Sequence, residues 1–262
     1  MKISKLKFGL VTGAGGFLGL EHCRSILDTN FGLVMIDINK KKLDESYKFL
    51  KKNYPNSVIL KFLVDITLEN QVRKLNNILN KNKIFIRTLI NNACIDPKPK
   101  KNLKRGNLIL KSWNKELDVG LKGSYLLIEY FAQNMKKYKD GCIINVASDL
   151  SVIAPNQSIY KNSFKNFKKP VTYSVIKHGL IGMTKYYASI LAEYKITCNA
   201  ISPIGVFNNQ NKKFVNELIK LIPMKRMAKT KDIKNSVDFL INEKQQLITG
   251  QNIIIDGGRT II

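Results

Sequence analysis

Residues Lys7–Gly19 read KFGLVTGAGGFLG. The first half is an apolar, strand-like run. Gly13, Gly15, Gly16 and Gly19 crowd the second half, which opens into an amphipathic stretch. Glycine lets a backbone turn sharply and come close to a phosphate. A helix starting there offers free N–H groups and a partial positive charge. A glycine-rich turn alone says little. Placed between a first strand and a first helix, it has the context a dinucleotide pyrophosphate needs. Gly13, Gly16, Phe17, Leu18 and Gly19 are the candidate contacts.

Asp37 supports the same reading independently. It ends a second apolar run, Gly32–Asp37, 18 residues beyond Gly19. A carboxylate there accepts both hydroxyls of an adenosine ribose and repels a 2′-phosphate. Ile38, the next residue, brings no positive charge to hold that phosphate. NAD(H) is therefore favoured over NADP(H).

Further along the chain, short apolar runs alternate with amphipathic stretches. The expected strands are Lys7–Thr12, Gly32–Asp37, Val58–Leu63, Ile86–Asn91, Cys142–Ala147, Thr197–Ile201 and Asn252–Ile255. Helices are expected near Phe17–Thr29, Lys40–Lys52, Leu68–Leu79, Lys111–Lys137, Val171–Glu193, Lys212–Leu221 and Lys231–Asn242. The alternation predicts an α/β fold of the Rossmann type: a doubly wound, parallel, seven-stranded sheet in a single domain spanning 1–262. Two polar stretches interrupt it, 154–170 and 204–223. Both follow strands at the ligand-binding edge of such a sheet and read as substrate-side loops.

Composition narrows the function. No apolar run is long enough to span a membrane, and MKISKLKFGLVTG lacks the long apolar stretch of a signal peptide. Cys23, Cys94, Cys142 and Cys198 fit no zinc or redox spacing, and no metal site is expected. They suit a reducing cytoplasm. Forty-four Lys and Arg against 19 Asp and Glu give a net charge of +25. The basic residues are spread along the chain without a nucleic-acid-binding pattern, so compositional bias explains them, with an anionic substrate as the next reading and no nucleic-acid partner.

Tyr173 and Lys177 lie four residues apart on a predicted helix and share a face. Free tyrosine has a pKa of about 10 and handles protons poorly at neutral pH. A neighbouring ammonium favours the phenolate. The pair can then exchange a proton at a carbonyl or alcohol oxygen while hydride moves at carbon.

In order, the chain carries TGAGGFLG, Asp37 at a strand end, Asp65 in LVDIT, NNAC at Asn91–Cys94, INVAS ending at Ser148, YSVIK, SPIG and DGG at Asp256–Gly258. Over essentially its whole length this series resembles the short-chain dehydrogenase/reductase family. The resemblance implies that Ser148 hydrogen-bonds the substrate oxygen and that Tyr173 is the general acid/base. Lys177 would bind the nicotinamide ribose and lower the tyrosine pKa. It also implies that Asp65 and Ile66 lie against the adenine and Asn92 and Ala93 beside the adenosine ribose. The Val206 backbone would meet the nicotinamide carboxamide. A homotetramer or homodimer is implied, paired through the Lys111–Lys137 and Val171–Glu193 helices.

Several positions depart from the family pattern. The turn spacing is that of its extended branch, while length and later motifs match its classical members. Cys94 replaces a glycine, and Ile204 replaces the glycine that follows Pro203. Gly120 stands where an asparagine usually anchors a relay water, which puts that relay in doubt. Ser148 and Tyr173 are 25 residues apart, and the excess over the family is the 154–170 stretch. These departures resemble a sub-branch associated with surface-sugar, nonulosonic-acid or flagellin-glycan biosynthesis. That resemblance implies a sugar or sugar-nucleotide substrate, and Asn156, Gln157, Asn208, Asn209 and Gln210 suit a hydroxyl-rich ligand. The alternatives are a 3-oxoacyl-thioester (acyl-carrier-protein) reductase and a non-catalytic dinucleotide-binding regulatory protein. His22, His178 and Trp113 read as structural.

Overall fold

Lys7–Thr12 forms β1, and all but its first residue are buried. Such a run, apolar on both faces, belongs at the centre of a parallel sheet covered on both sides. β2 (Gly32–Asp37), β3 (Ile59–Leu63), β4 (Phe85–Asn91), β5 (Gly141–Val146), β6 (Ile196–Pro203) and β7 (Asn252–Ile255) complete it. The order is β3-β2-β1-β4-β5-β6-β7. Every pairing is parallel. The computed structural model describes residues 6–96, 109–164, 167–242 and 247–262. The N-terminal reading over residues 1–5 and positions 165–166 of the insert lie outside the described residues.

Helices cover both faces. α1 (Phe17–Asp28), α2 (Lys40–Asn53), α3 (Glu69–Lys81), α5 (Gly123–Tyr138), α7 (Val171–Leu191), α8 (Lys212–Lys220) and α9 (Thr230–Ile241) match expected helices. Ile26, Leu43, Leu218 and Val237 lie in one core. Leu75, Phe131, Leu191 and the opposite-facing Leu10 and Val34 lie in the other. Side chains on a strand alternate between faces, so β1 sends Val11 to the first core and Leu10 to the second. The strand order reverses between β1 and β4, which opens a crevice at their carboxyl ends. Among the described residues no helix is long and apolar enough to cross a membrane.

Two expectations are corrected. The single helix over Lys111–Lys137 is instead α4 (Ile109–Leu117), a π-helical turn over Asp118–Lys122, and α5. The π turn holds Gly120, whose carbonyl accepts a 3.2 Å hydrogen bond from the Ser124 hydroxyl. Glycine here forgoes the side chain that helps hold a regular helix.

The 154–170 stretch is not a plain loop. It contains a short helix, α6 (Gln157–Ser163), capped by the Asn156 side chain, which accepts from the Ser158 N–H. Seven residues do not hold a helix in water by propensity. This one is held by packing. Tyr160 lies 5.4 Å and Phe164 5.6 Å, centroid to centroid, from Phe214 on α8. Phe167 closes the cluster at 5.8 Å from Tyr160 and 6.1 Å from Phe164.

Candidate active site

The turn after β1 depends on two close approaches. Gly13 has φ +61°, where a side chain is strained. A Cβ on Gly19 would lie 2.0 Å from the Gly13 carbonyl oxygen, so only glycine lets α1 start so close to the turn. α1 has no side-chain cap and no acidic residue in its first turn. Its opening N–H groups and positive dipole end are left for an anion.

Thr12 ties this turn to β4. Its hydroxyl oxygen accepts from the N–H groups of Asn92 (2.9 Å) and Ala93 (2.8 Å). The Asn92 amide donates to the Thr12 carbonyl at 2.9 Å. Asp37 is fixed by two backbone donors, Gly15 N–H at 2.9 Å and Asn39 N–H at 2.8 Å. Carboxylate oxygens accept more than one bond each, so acceptor capacity remains for ribose hydroxyls. Asp65 caps its own turn, accepting from the Thr67 N–H (2.9 Å) and hydroxyl (2.7 Å). Ile66 packs against Gly123, where a Cβ would come within 2.6 Å of its Cδ1.

The catalytic candidates meet where β5 and α7 converge. Ser148 is buried at the end of β5. Its hydroxyl donates to Asp149 at 2.8 Å and accepts from the Leu150 N–H at 3.2 Å. The other Asp149 oxygen takes a 2.5 Å ion pair from Arg259, and both side chains are buried. Lys177 is buried, its ammonium donating to the Val146 carbonyl at 2.7 Å and lying 5.5 Å from the Tyr173 ring centroid. Val206 forms a parallel bridge with Ala228, and its carbonyl accepts from the Gln210 amide at 2.7 Å.

One cleft of about 950 Å³ collects the candidate residues. Gly13, Gly16, Phe17, Leu18 and Gly19 line it past β1, Asp37 at the end of β2, and Asp65 and Ile66 past β3. Asn92 and Ala93 line it past β4, Ser148 past β5 and Val206 past β6, with Tyr173 and Lys177 from α7. Asn208, Asn209 and Gln210 line it too, and so do Tyr160, Phe164 and Phe167 of the insert. Asn156 and Gln157 do not. Gln157 instead clamps the insert, its amide bonding the N–H and the carbonyl of Lys169, each at 3.0 Å. The positive-φ turn, the free start of α1 and the fixed Asp37 fit an extended dinucleotide.

The electrostatics at Tyr173 differ from the simple lysine argument. Exclusion of water pushes its phenol well above the ordinary value, and Cys94, Asp96 and Asp149 push it the same way. A hydrogen bond with Ser148 opposes them. Burial raises Asp149 as well, against the pull of Arg259.

Four features escaped the sequence reading. Lys169 lies 3.7 Å from the Tyr173 ring centroid and pairs with Asp96 at 2.5 Å. Asp149 and Arg259, 110 residues apart in the chain, meet beneath Ser148. Lys42 lines the cleft beside Asp37. Thr12 supplies the β1–β4 tie. Their lysines were indistinguishable among the chain's many. His178 is exposed, its Nδ1 2.9 Å from the Ser174 carbonyl oxygen. Among the described residues no cluster of three His, Cys, Asp or Glu is placed to hold a metal.

Comparison with known proteins gives a consistent picture. A family model described as "Enoyl-(Acyl carrier protein) reductase" matches residues 18–260. The NAD-dependent glycerol dehydrogenase of Listeria innocua is 30% identical over 97% of this chain and 94% of its own length. The 3-oxoacyl-acyl-carrier-protein reductase of Buchnera aphidicola subsp. Baizongia pistaciae is 31% identical over 98% of each chain. The post-translational flagellin modification protein A of Campylobacter coli is 26% identical over 96% of this chain and 97% of its own. Among solved structures, a short chain dehydrogenase from Leptospira borgpetersenii with bound NAD+ superposes with a TM-score of 0.82. It is 29% identical and covers 97% of this chain and 93% of its own.

Proposed function

The chain belongs to the short-chain dehydrogenase/reductase family, and on that premise we propose that it interconverts an alcohol and a ketone on a sugar or sugar-nucleotide, using NAD(H). The observation that carries the reading is that Ser148, Tyr173 and Lys177 line the same cleft as Asp37, whose strand β2 lies three places from β5 in the sheet.

Nicotinamide, when bound, supplies or takes up the hydride. The chain's own residues manage the proton and the oxygen. Tyr173 gives a proton to the carbonyl oxygen during reduction and takes it back during oxidation. The Ser148 hydroxyl turns from Asp149 to donate to that oxygen, stabilising charge as it develops. The Lys177 ammonium, already fixed by Val146, holds the cofactor ribose and favours the phenolate against the burial that opposes it. Gly13, Gly16, Phe17, Leu18 and Gly19 would receive the pyrophosphate. Asp65, Ile66, Asn92 and Ala93 would flank the adenosine, and the Val206 backbone would meet the carboxamide.

Asp37 supports NAD(H) over NADP(H). Residues 154–170 and 204–223 form the substrate side of the 1–262 domain, where aromatic faces and Asn208, Asn209 and Gln210 suit a hydroxyl-rich ligand. The glycerol dehydrogenase relative favours a polyol. Exposed Tyr125, Val171 and Tyr186 on α5 and α7 fit pairing into a homodimer or homotetramer. Four free thiols suit a reducing cytoplasm.

A second reading, reduction of a 3-oxoacyl thioester, is favoured by the Buchnera relative and by the basic surface, which suits an acidic carrier. A screen of polyols, sugar-nucleotides and acetoacetyl thioesters, followed at the NADH absorbance, separates the two. Turnover of the thioester with NADPH and of no polyol would replace the sugar reading.

A further inference from the structure

The insert delivers a second lysine to Tyr173. Lys169 Nζ sits 3.7 Å from the phenol centroid, closer than Lys177 at 5.5 Å. It is not a loose surface contact. Its side chain is 9% exposed. The Gln157 amide grips its backbone on both sides at 3.0 Å. Asp96, from the segment after β4 and 56% exposed, holds the ammonium at 2.5 Å.

A cation over an aromatic face is attracted by the ring's electrons. Deprotonating the phenol puts more negative charge on that ring, so the attraction grows. The difference between the two protonation states is what moves a proton equilibrium. Shielding from water strengthens the effect, and the Asp96 carboxylate works against it.

We propose that Lys169 is a positioning residue that stabilises the phenolate form of Tyr173, with Asp96 as its opposing partner. The 154–170 insert thus builds part of the proton chemistry as well as a wall of the cleft. Other groups facing Tyr173 are Lys177 on its own helix, Cys94 and Asp96 after β4, and Ser148 and Asp149 after β5. Lys115 of α4 and Arg259 line the same cleft, and Arg259 is held by Asp149. The proposal rests on Tyr173 being the acid/base.

The test is a pH titration of the full chain with NAD+, labelled with 13Cζ-tyrosine and followed by NMR. Tyr173→Phe assigns the signal, so no substrate is needed. Lys169→Met is expected to move the Tyr173 midpoint up by about one pH unit. Asp96→Asn is expected to move it down, and Lys169→Arg to stay near wild type. The ionisation seen in kcat/KM should move in the same directions. General damage to the site would shift Lys169→Met and Asp96→Asn the same way. Shifts of the same sign, or an unmoved Lys169→Met, would overturn the proposal. If Lys169→Met does not fold, an Asp96→Asn midpoint that fails to fall overturns it. Retained hydride transfer by Tyr173→Phe would instead remove the acid/base reading, an outcome distinct from any titration result.

Discussion

Ile176 occupies the space that any side chain at position 120 would need. A Cβ on Gly120 would lie 2.5 Å from Ile176 Cγ2, and Ile176 is itself 1% exposed. An asparagine there, the relay residue of the family resemblance, would therefore crowd Ile176 between the π turn and α7. Gly120→Asn should destabilise the protein by about 1–3 kcal/mol through overpacking. Adding Ile176→Ala should recover part of that loss, giving a coupling on the order of 0.5–3 kcal/mol in urea denaturation. Strict additivity would show that the two positions do not compete for space.

In the proposed reading Asp37 meets the adenosine ribose. Replacing it with Ser removes a carboxylate already aligned by the Gly15 and Asn39 N–H groups. A hydrogen bond to a charged group contributes about 1.5–3 kcal/mol, so NAD(H) binding should weaken about 10- to 100-fold. NADP(H) binding should improve, because the repulsion is gone and Lys42 stands nearby. Cofactor titrations monitored by NADH and NADPH fluorescence measure both. An unchanged NADH/NADPH ratio would contradict the assignment.

His22 gives the protein an acid-sensitive core. It is fully buried in α1, and neither ring nitrogen has a hydrogen-bond partner among the described residues. Burial lowers its pKa from 6.5 to about 4. The unfolded chain therefore binds the proton more readily than the folded one between those values. Stability is fully present above pH 6.5 and falls as pH drops toward 4, by about 3 kcal/mol in all. In His22→Leu this part of the slope should vanish from denaturation curves collected across that range.

The Asp149–Arg259 pair links the last turn of the chain to Ser148. Both side chains are more than nine-tenths buried. Arg259→Met strands a carboxylate beside Ser148 and should cost about 3–5 kcal/mol. The double variant Asp149→Asn, Arg259→Met should regain much of that, since no charge is then left unpaired. Chemical denaturation reads both, and equal losses in the single and double variants would contradict the pairing.

The fold was legible because its signals are local and repeated. β1, β2 and β7 begin and end where their apolar runs do, and the glycine turn follows β1 directly. The candidate cofactor and catalytic residues reach one cleft because they sit past the carboxyl ends of strands, in the first turn of α1 or on α7. What stayed hidden depends on contacts between distant segments. α6 is too short and polar to declare itself and exists through Phe214. The π turn interrupts a helix whose sequence reads as continuous, and Gly120 meets Ile176 only once α7 has packed. Lys169 carries no sequence mark beyond preceding Pro170, and Arg259 meets Asp149 only after the sheet has formed.

We propose that Tyr173 is the proton donor and acceptor for hydride transfer with NAD(H). The most direct measurement compares wild type and Tyr173→Phe at the NADH absorbance, with the best alcohol or ketone from the substrate screen. A general acid/base contributes about 10²- to 10⁴-fold, so kcat should fall by that factor while NADH binding stays near wild type. A Tyr173→Phe enzyme that turns over at the wild-type rate would contradict the account.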